Sequence, residues 1–117
     1  QPLAVQAKLT LANNMIVMGE RLSFTLQLQQ PVLHSGKLRL EYAIDFASKT
    51  GKPRHKVFQW LERVVSEPVL TLQRSYQFVD LTTRKHYPGE HRISIIINGQ
   101  IVTSQRFMLQ NPSAERV

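Results

Sequence analysis

Residues 81–99 read Leu-Thr-Thr-Arg-Lys-His-Tyr-Pro-Gly-Glu-His-Arg-Ile-Ser-Ile-Ile-Ile-Asn-Gly, and this stretch decides the fold. Pro88-Gly89 is a turn, because proline presets φ and glycine tolerates positive φ. From His91 to Ile97 the chain places His91, Ile93, Ile95 and Ile97 on one side and Arg92, Ser94 and Ile96 on the other. That period of two is the pattern of a strand. Asn98-Gly99 follows at once, and both residues accept the positive φ of a tight hairpin. A turn, a β-branched strand and a hairpin in one short run mark a central antiparallel pair of an all-β domain.

Working outward, the same alternation recurs. Residues 4–11 put Val5, Ala7, Leu9 and Leu11 against Gln6, Lys8 and Thr10, before Asn13-Asn14 breaks the run. Met15-Ile16-Val17-Met18 is a short apolar edge segment ahead of Gly19-Glu20. Leu22, Phe24, Leu26 and Leu28 alternate with Ser23, Thr25 and Gln27. Leu38, Leu40, Tyr42, Ile44 and Phe46 face one way, with Lys37, Arg39, Glu41 and Asp45 opposite. A helix would scatter those five apolar residues around its circumference. Burying each is worth roughly 1.5 to 3 kcal/mol, so the alternation dictates a strand. Residues 55–63 carry Val57, Phe58, Trp60 and Leu61 on both sides, which implies partial burial of both faces or an exposed aromatic. Residues 69–78 read as a strand whose Leu70, Leu72, Arg74, Tyr76 and Phe78 are mixed across both faces, and 101–109 as the last strand. About seven strands separated by turn signals, with no helical periodicity, predict an antiparallel β-sandwich of immunoglobulin type, with a barrel as the alternative.

The 117 residues suffice for one domain and one core, here residues 1–110, with 111–117 as a frayed tail. Cysteine is absent, which excludes disulfides and thiolate metal sites and favours a reducing, cytoplasmic compartment. No apolar run is long enough for a membrane-spanning helix, and no membrane partner is expected. The chain begins at Gln1, which fits a processed secreted protein or, preferably, a domain cut from a longer chain.

The net charge of +7, with a pI near 10.3, draws such a domain towards anions. If successive strands alternate in direction, the connection near 47–54 and that near 79–90 emerge at one pole. The first, with its flank, carries Lys49, Lys52, Arg54, His55 and Lys56 with no acid between them; the second carries Arg84, Lys85 and His86. Six of the 15 Lys and Arg residues would gather there, opposed locally by Asp80 and Glu90. The pattern suits phosphate backbones, with Arg54 and Arg84 able to fork onto phosphate oxygens. A solvated, self-repelling loop pair accounts for it equally well.

Trp60 reads first as covering the edge of a sandwich core and second as a stacking platform, and Phe58 likewise. With Val57 they form a candidate surface for a protein partner. Tyr87 or His91 should anchor the corner before the Ile-rich strand by a hydrogen bond to backbone. No His-Glu-x-x-His, nucleophile elbow, phosphate loop or dinucleotide fingerprint occurs, so neither metal nor cofactor is expected. Glu41 and Asp45 lie about 13 Å apart by strand rise, too far for a paired acid and base, and an enzyme is not expected.

Two blocks carry a family likeness. They are Leu40-Glu41-Tyr42-Ala43-Ile44-Asp45-Phe46 through Gly51-Lys52 to Lys56-Val57-Phe58, and Thr82-Thr83-Arg84-Lys85-His86-Tyr87-Pro88-Gly89-Glu90-His91-Arg92 through Ile97-Asn98-Gly99. With Gly19-Glu20-x-Leu22-x-Phe24, they resemble the all-β extension that follows the HEAT-like helical domain in some bacterial DNA alkylation repair proteins. In that family the glycosylase chemistry belongs to the helical repeats, and nothing here matches them. The resemblance therefore implies a noncatalytic accessory module beside an N-terminal HEAT-like domain, helping to hold DNA or a partner. The alternatives are a protein-interaction or docking module and an exported adhesin- or chaperone-like sandwich.

Overall fold

A computed structural model of the chain describes residues 6–29, 37–79 and 86–111. They form eight strands: β1 (Gln6–Leu11), β2 (Met15–Val17), β3 (Arg21–Gln29), β4 (Lys37–Phe46), β5 (Arg54–Val64), β6 (Val69–Gln77), β7 (Gly89–Ile97) and β8 (Gln100–Gln110). They divide into a three-stranded sheet, β1-β3-β6, and a five-stranded sheet, β2-β8-β7-β4-β5. The expected all-β immunoglobulin-like sandwich is what forms. The short segment at 15–17 is the eighth strand; it lies parallel to β8 at the sheet edge, with Met15 beside Met108.

The core is the sum of the inward sets. Leu22, Phe24, Leu26 and Leu28 of β3 face Leu38, Leu40, Tyr42, Ile44 and Phe46 of β4 and Ile93, Ile95 and Ile97 of β7 within one buried cluster. Leu70, Leu72 and Tyr76 of β6 join it, with Phe78 just past the end of that strand. The expectation that this strand mixes its apolar residues across both faces is wrong. Leu70, Leu72, Arg74 and Tyr76 pair with Leu28, Leu26, Phe24 and Leu22, so all four share the inner face. Arg74 obscured the pattern because it is a cation at an inward position. Its guanidinium lies 5.6 Å over the Trp60 ring and donates to the carbonyls of Gln59 at 3.3 Å and Trp60 at 3.5 Å. An inward charge of this kind guards a sheet edge against pairing with another chain.

A β-bulge explains the double-sided look of β5. Leu40 pairs with Leu61 and Glu41 with Gln59, leaving Trp60 as the extra residue. The bulge turns Trp60 into the core, 9 % exposed. There it meets Phe24 and Tyr42 edge-on, with centroids 5.4 and 5.9 Å away.

The Asn98-Gly99 hairpin has positive φ at both residues, 48° and 87°, as its sequence demands. Asn98 also clamps the turn to β4: its Oδ1 accepts from the Arg39 amide at 2.7 Å and its Nδ2 donates to the Lys37 carbonyl at 3.1 Å. At the opposite end three connections meet. The Gly19 amide donates to Phe78 O at 2.7 Å, the Phe78 amide to Glu20 O at 3.0 Å, and Gly89 lies against the Ala47 side chain. The β2–β3, β4–β5 and β6–β7 connections thus share one pole, as alternating strand direction requires.

Candidate nucleic-acid interface

β4 ends at Phe46 and β5 opens at Arg54, so residues 47–53 close a hairpin at the shared pole. Ser48 organises this loop. Its hydroxyl donates to the Lys52 carbonyl, and so it accepts from Thr50 Oγ1 at 3.3 Å, having only one proton to give. The Gly51 amide donates to Ser48 O at 3.3 Å, and Gly51 holds φ at +88°, where a side chain would be strained.

The cations project from this frame. Lys49 and Lys52 are exposed. Arg54 is exposed with its guanidinium 5.7 Å over the Phe46 ring, and Lys56 is exposed with Nζ 5.8 Å over Phe58. These ring contacts fix the direction of the charged heads while leaving them in water. Four of the expected interface residues therefore stand together. Arg84, Lys85 and the opposing Asp80 lie outside the described residues.

Two expected members do not belong. His86 is 4 % exposed, held among Phe46, Tyr76 and Phe78, with Nε2 3.1 Å from the Tyr76 hydroxyl. A ring buried in this way cannot meet a polyanion. His55 is exposed but not a free cation. It is the register partner of Asp45, and its Nδ1 sits 2.5 Å from Asp45 Oδ1. The stretch has no acid in sequence, yet antiparallel pairing delivers one from the next strand. Glu90 is likewise engaged, 3.3 Å from Arg106.

The corner anchor is His91. Its Nδ1 donates to the Gly89 carbonyl at 3.0 Å, and the ring is 1 % exposed between Phe78 and Phe107. Burial pushes its pKa below the usual imidazole value, against the pull of that hydrogen bond, while neighbouring His86 and Arg54 depress it further. Tyr87, three residues earlier in the chain than Glu90, takes a place that no local pattern indicates. With Ser48, Lys49, Thr50, Lys52, Pro53 and Arg54 it lines a concavity of about 490 Å³. Only proximity between the two connections creates this site, and no local signal announces it.

The suggested protein-binding surface shrinks on inspection. Val57 is exposed at 43 %, but Phe58 is half-buried and stacked on Tyr42 at 4.9 Å, and Trp60 belongs to the core. Among the described residues no group of three His, Asp or Glu side chains could hold a metal ion.

Residues 5–111 match the family described as uncharacterised protein YhaZ, C-terminal Ig-like domain. The chain belongs to this family. The uncharacterized protein YhaZ of Bacillus subtilis (strain 168) is 39 % identical over 102 residues, which cover 86 % of this chain and 28 % of that protein. Among solved structures, Pseudomonas fluorescens alkylpurine DNA glycosylase AlkC bound to DNA containing an abasic site analog superposes with a TM-score of 0.81. It is 30 % identical and the match covers 91 % of this chain and 30 % of AlkC. A Listeria innocua β-glucosidase in complex with glucose superposes at 0.66 with 13 % identity, over 92 % of this chain and 16 % of the enzyme, which is a likeness of fold alone. This YhaZ-type Ig-like domain thus spans less than a third of the relatives it matches. Its likeness to AlkC is in accord with the sequence resemblance.

Proposed function

We propose that this domain is a noncatalytic accessory module, cytoplasmic, that contacts the DNA phosphate backbone weakly and without sequence preference through the 47–56 pole. The parent protein would carry a HEAT-like helical domain on its N-terminal side. One observation carries the reading: Lys49 and Lys52 project from a braced loop and Arg54 and Lys56 from the start of β5, while the nearby acids Asp45 and Glu90 are each engaged by another side chain. Such a cationic cluster attracts polyanions. The DNA-bound state of AlkC, similar over most of this chain, supports it.

Docking of a protein partner through β5 is the weaker reading, because Arg74 already occupies the Gln59 and Trp60 carbonyls that an added strand would need. Charge reversal separates the two. Lys52→Glu with Arg54→Glu should abolish binding of a labelled duplex in fluorescence anisotropy at low salt. Unchanged binding by the double variant would refute the assignment of this pole.

A further inference from the structure

We infer that the concavity between the 47–53 loop and Tyr87 accepts one unpaired nucleotide, its phosphate on Lys49, Lys52 and Arg54 and its base against the Tyr87 ring. This rests on the proposed DNA contact and narrows it from backbone in general to a single-stranded or extrahelical nucleotide.

Shape and chemistry point the same way. Backbone contact needs only cations, and this site sets beside them an open concavity of about 490 Å³ with a tyrosine on its wall. Small-molecule pockets run from roughly 300 to 1,000 Å³, so the volume suits one nucleotide. Among the described residues the lining supplies three cations, two hydroxyl side chains, one proline and one tyrosine. Cations recognise the phosphate and an aromatic face recognises any base without regard to sequence. A paired base has both faces covered by its neighbours in the stack, and only an unpaired one is free to lie on Tyr87.

The two walls are also held in place before any ligand arrives. The loop wall is braced by Ser48, whose hydroxyl binds the Lys52 carbonyl. The Tyr87 wall is fixed from both sides in the chain. His86 before it is buried and joined to Tyr76, and Gly89 after it approaches Ala47, where a Cβ would come within 3.3 Å. Positioning of this kind lowers the ordering cost of binding.

The test uses the 117-residue chain and two labelled hairpin duplexes, one blunt and one with a short single-stranded overhang, in fluorescence anisotropy at low salt. The overhang should bind about fivefold tighter or more, the least expected of one base stacked on an aromatic ring. Tyr87→Leu should remove that preference and leave blunt-duplex binding unchanged, whereas Tyr87→Phe should retain it. A fluorescent adenine analogue in the overhang should lose emission on binding the wild type, a readout that needs no variant. Equal affinity for both DNAs, or a preference that survives Tyr87→Leu, overturns the nucleotide site and leaves the backbone contact standing. Binding to neither DNA overturns both.

Discussion

His86 Nε2 lies 3.1 Å from the Tyr76 hydroxyl, and this contact ties the chain re-entering from the β6–β7 connection to the last turn of pleat in β6. It holds Tyr87 beside the cationic loop, so a core hydrogen bond shapes a surface site.

Removing the hydroxyl should lower stability. Tyr76→Phe keeps the ring, which packs on Phe46, Phe58 and Phe78, and removes the part-buried hydrogen bond to His86. We expect a loss of about 1 to 3 kcal/mol in urea denaturation.

His91 makes stability depend on pH. Its folded-state pKa is lowered from 6.5, first by burial. The folded state therefore binds this proton less readily than the unfolded state. The stability from the neutral ring is complete above the unfolded value of 6.5 and declines as pH falls below it towards the folded pKa. The decline can reach about 1.4 kcal/mol per pH unit within that window. Urea midpoints should fall between about pH 7.5 and about pH 5, and His91→Phe should flatten the fall.

Trp60, the single tryptophan, reports on the core directly. Its emission should be blue-shifted in the native state and move to the red on unfolding. Trp60→Ala should cost about 3 to 5 kcal/mol, because it removes a buried ring from contact with Phe24, Tyr42 and Arg74. An exposed ring would give red-shifted native emission and a near-neutral substitution.

The strands whose apolar residues alternate with polar ones were legible from the sequence alone, β3, β4 and β7 above all, and so was the hairpin at Asn98-Gly99. What stayed hidden were consequences of pairing. Arg74 is exposed, yet β3 laid beside it shows Phe24 as its partner and the strand's apolar residues on the same face. His86 follows Arg84 and Lys85 in sequence and looks solvated, but its partner Tyr76 stands ten residues back on another strand. His55 sits in an acid-free run, and only the β4–β5 register brings Asp45 to it. Tyr87 offered a corner residue, a role that His91 fills, and its place in the concavity depends on two connections far apart in the chain.

That Asp45–His55 pair sets a further expectation. It is solvent-accessible, so Asp45→Asn should change stability by less than about 1 kcal/mol. The same substitution removes a carboxylate beside the cationic flank of β5, and duplex affinity at low salt should rise, as anisotropy would show.

The most direct measurement is the salt dependence of duplex binding. If Lys49, Lys52, Arg54 and Lys56 each neutralise one phosphate, log affinity against log salt should fall with a slope of about −3.6. Lys52→Glu with Arg54→Glu should flatten that slope along with the affinity. A slope near zero, or no binding at high micromolar protein in low salt, would contradict the assignment of the pole to DNA.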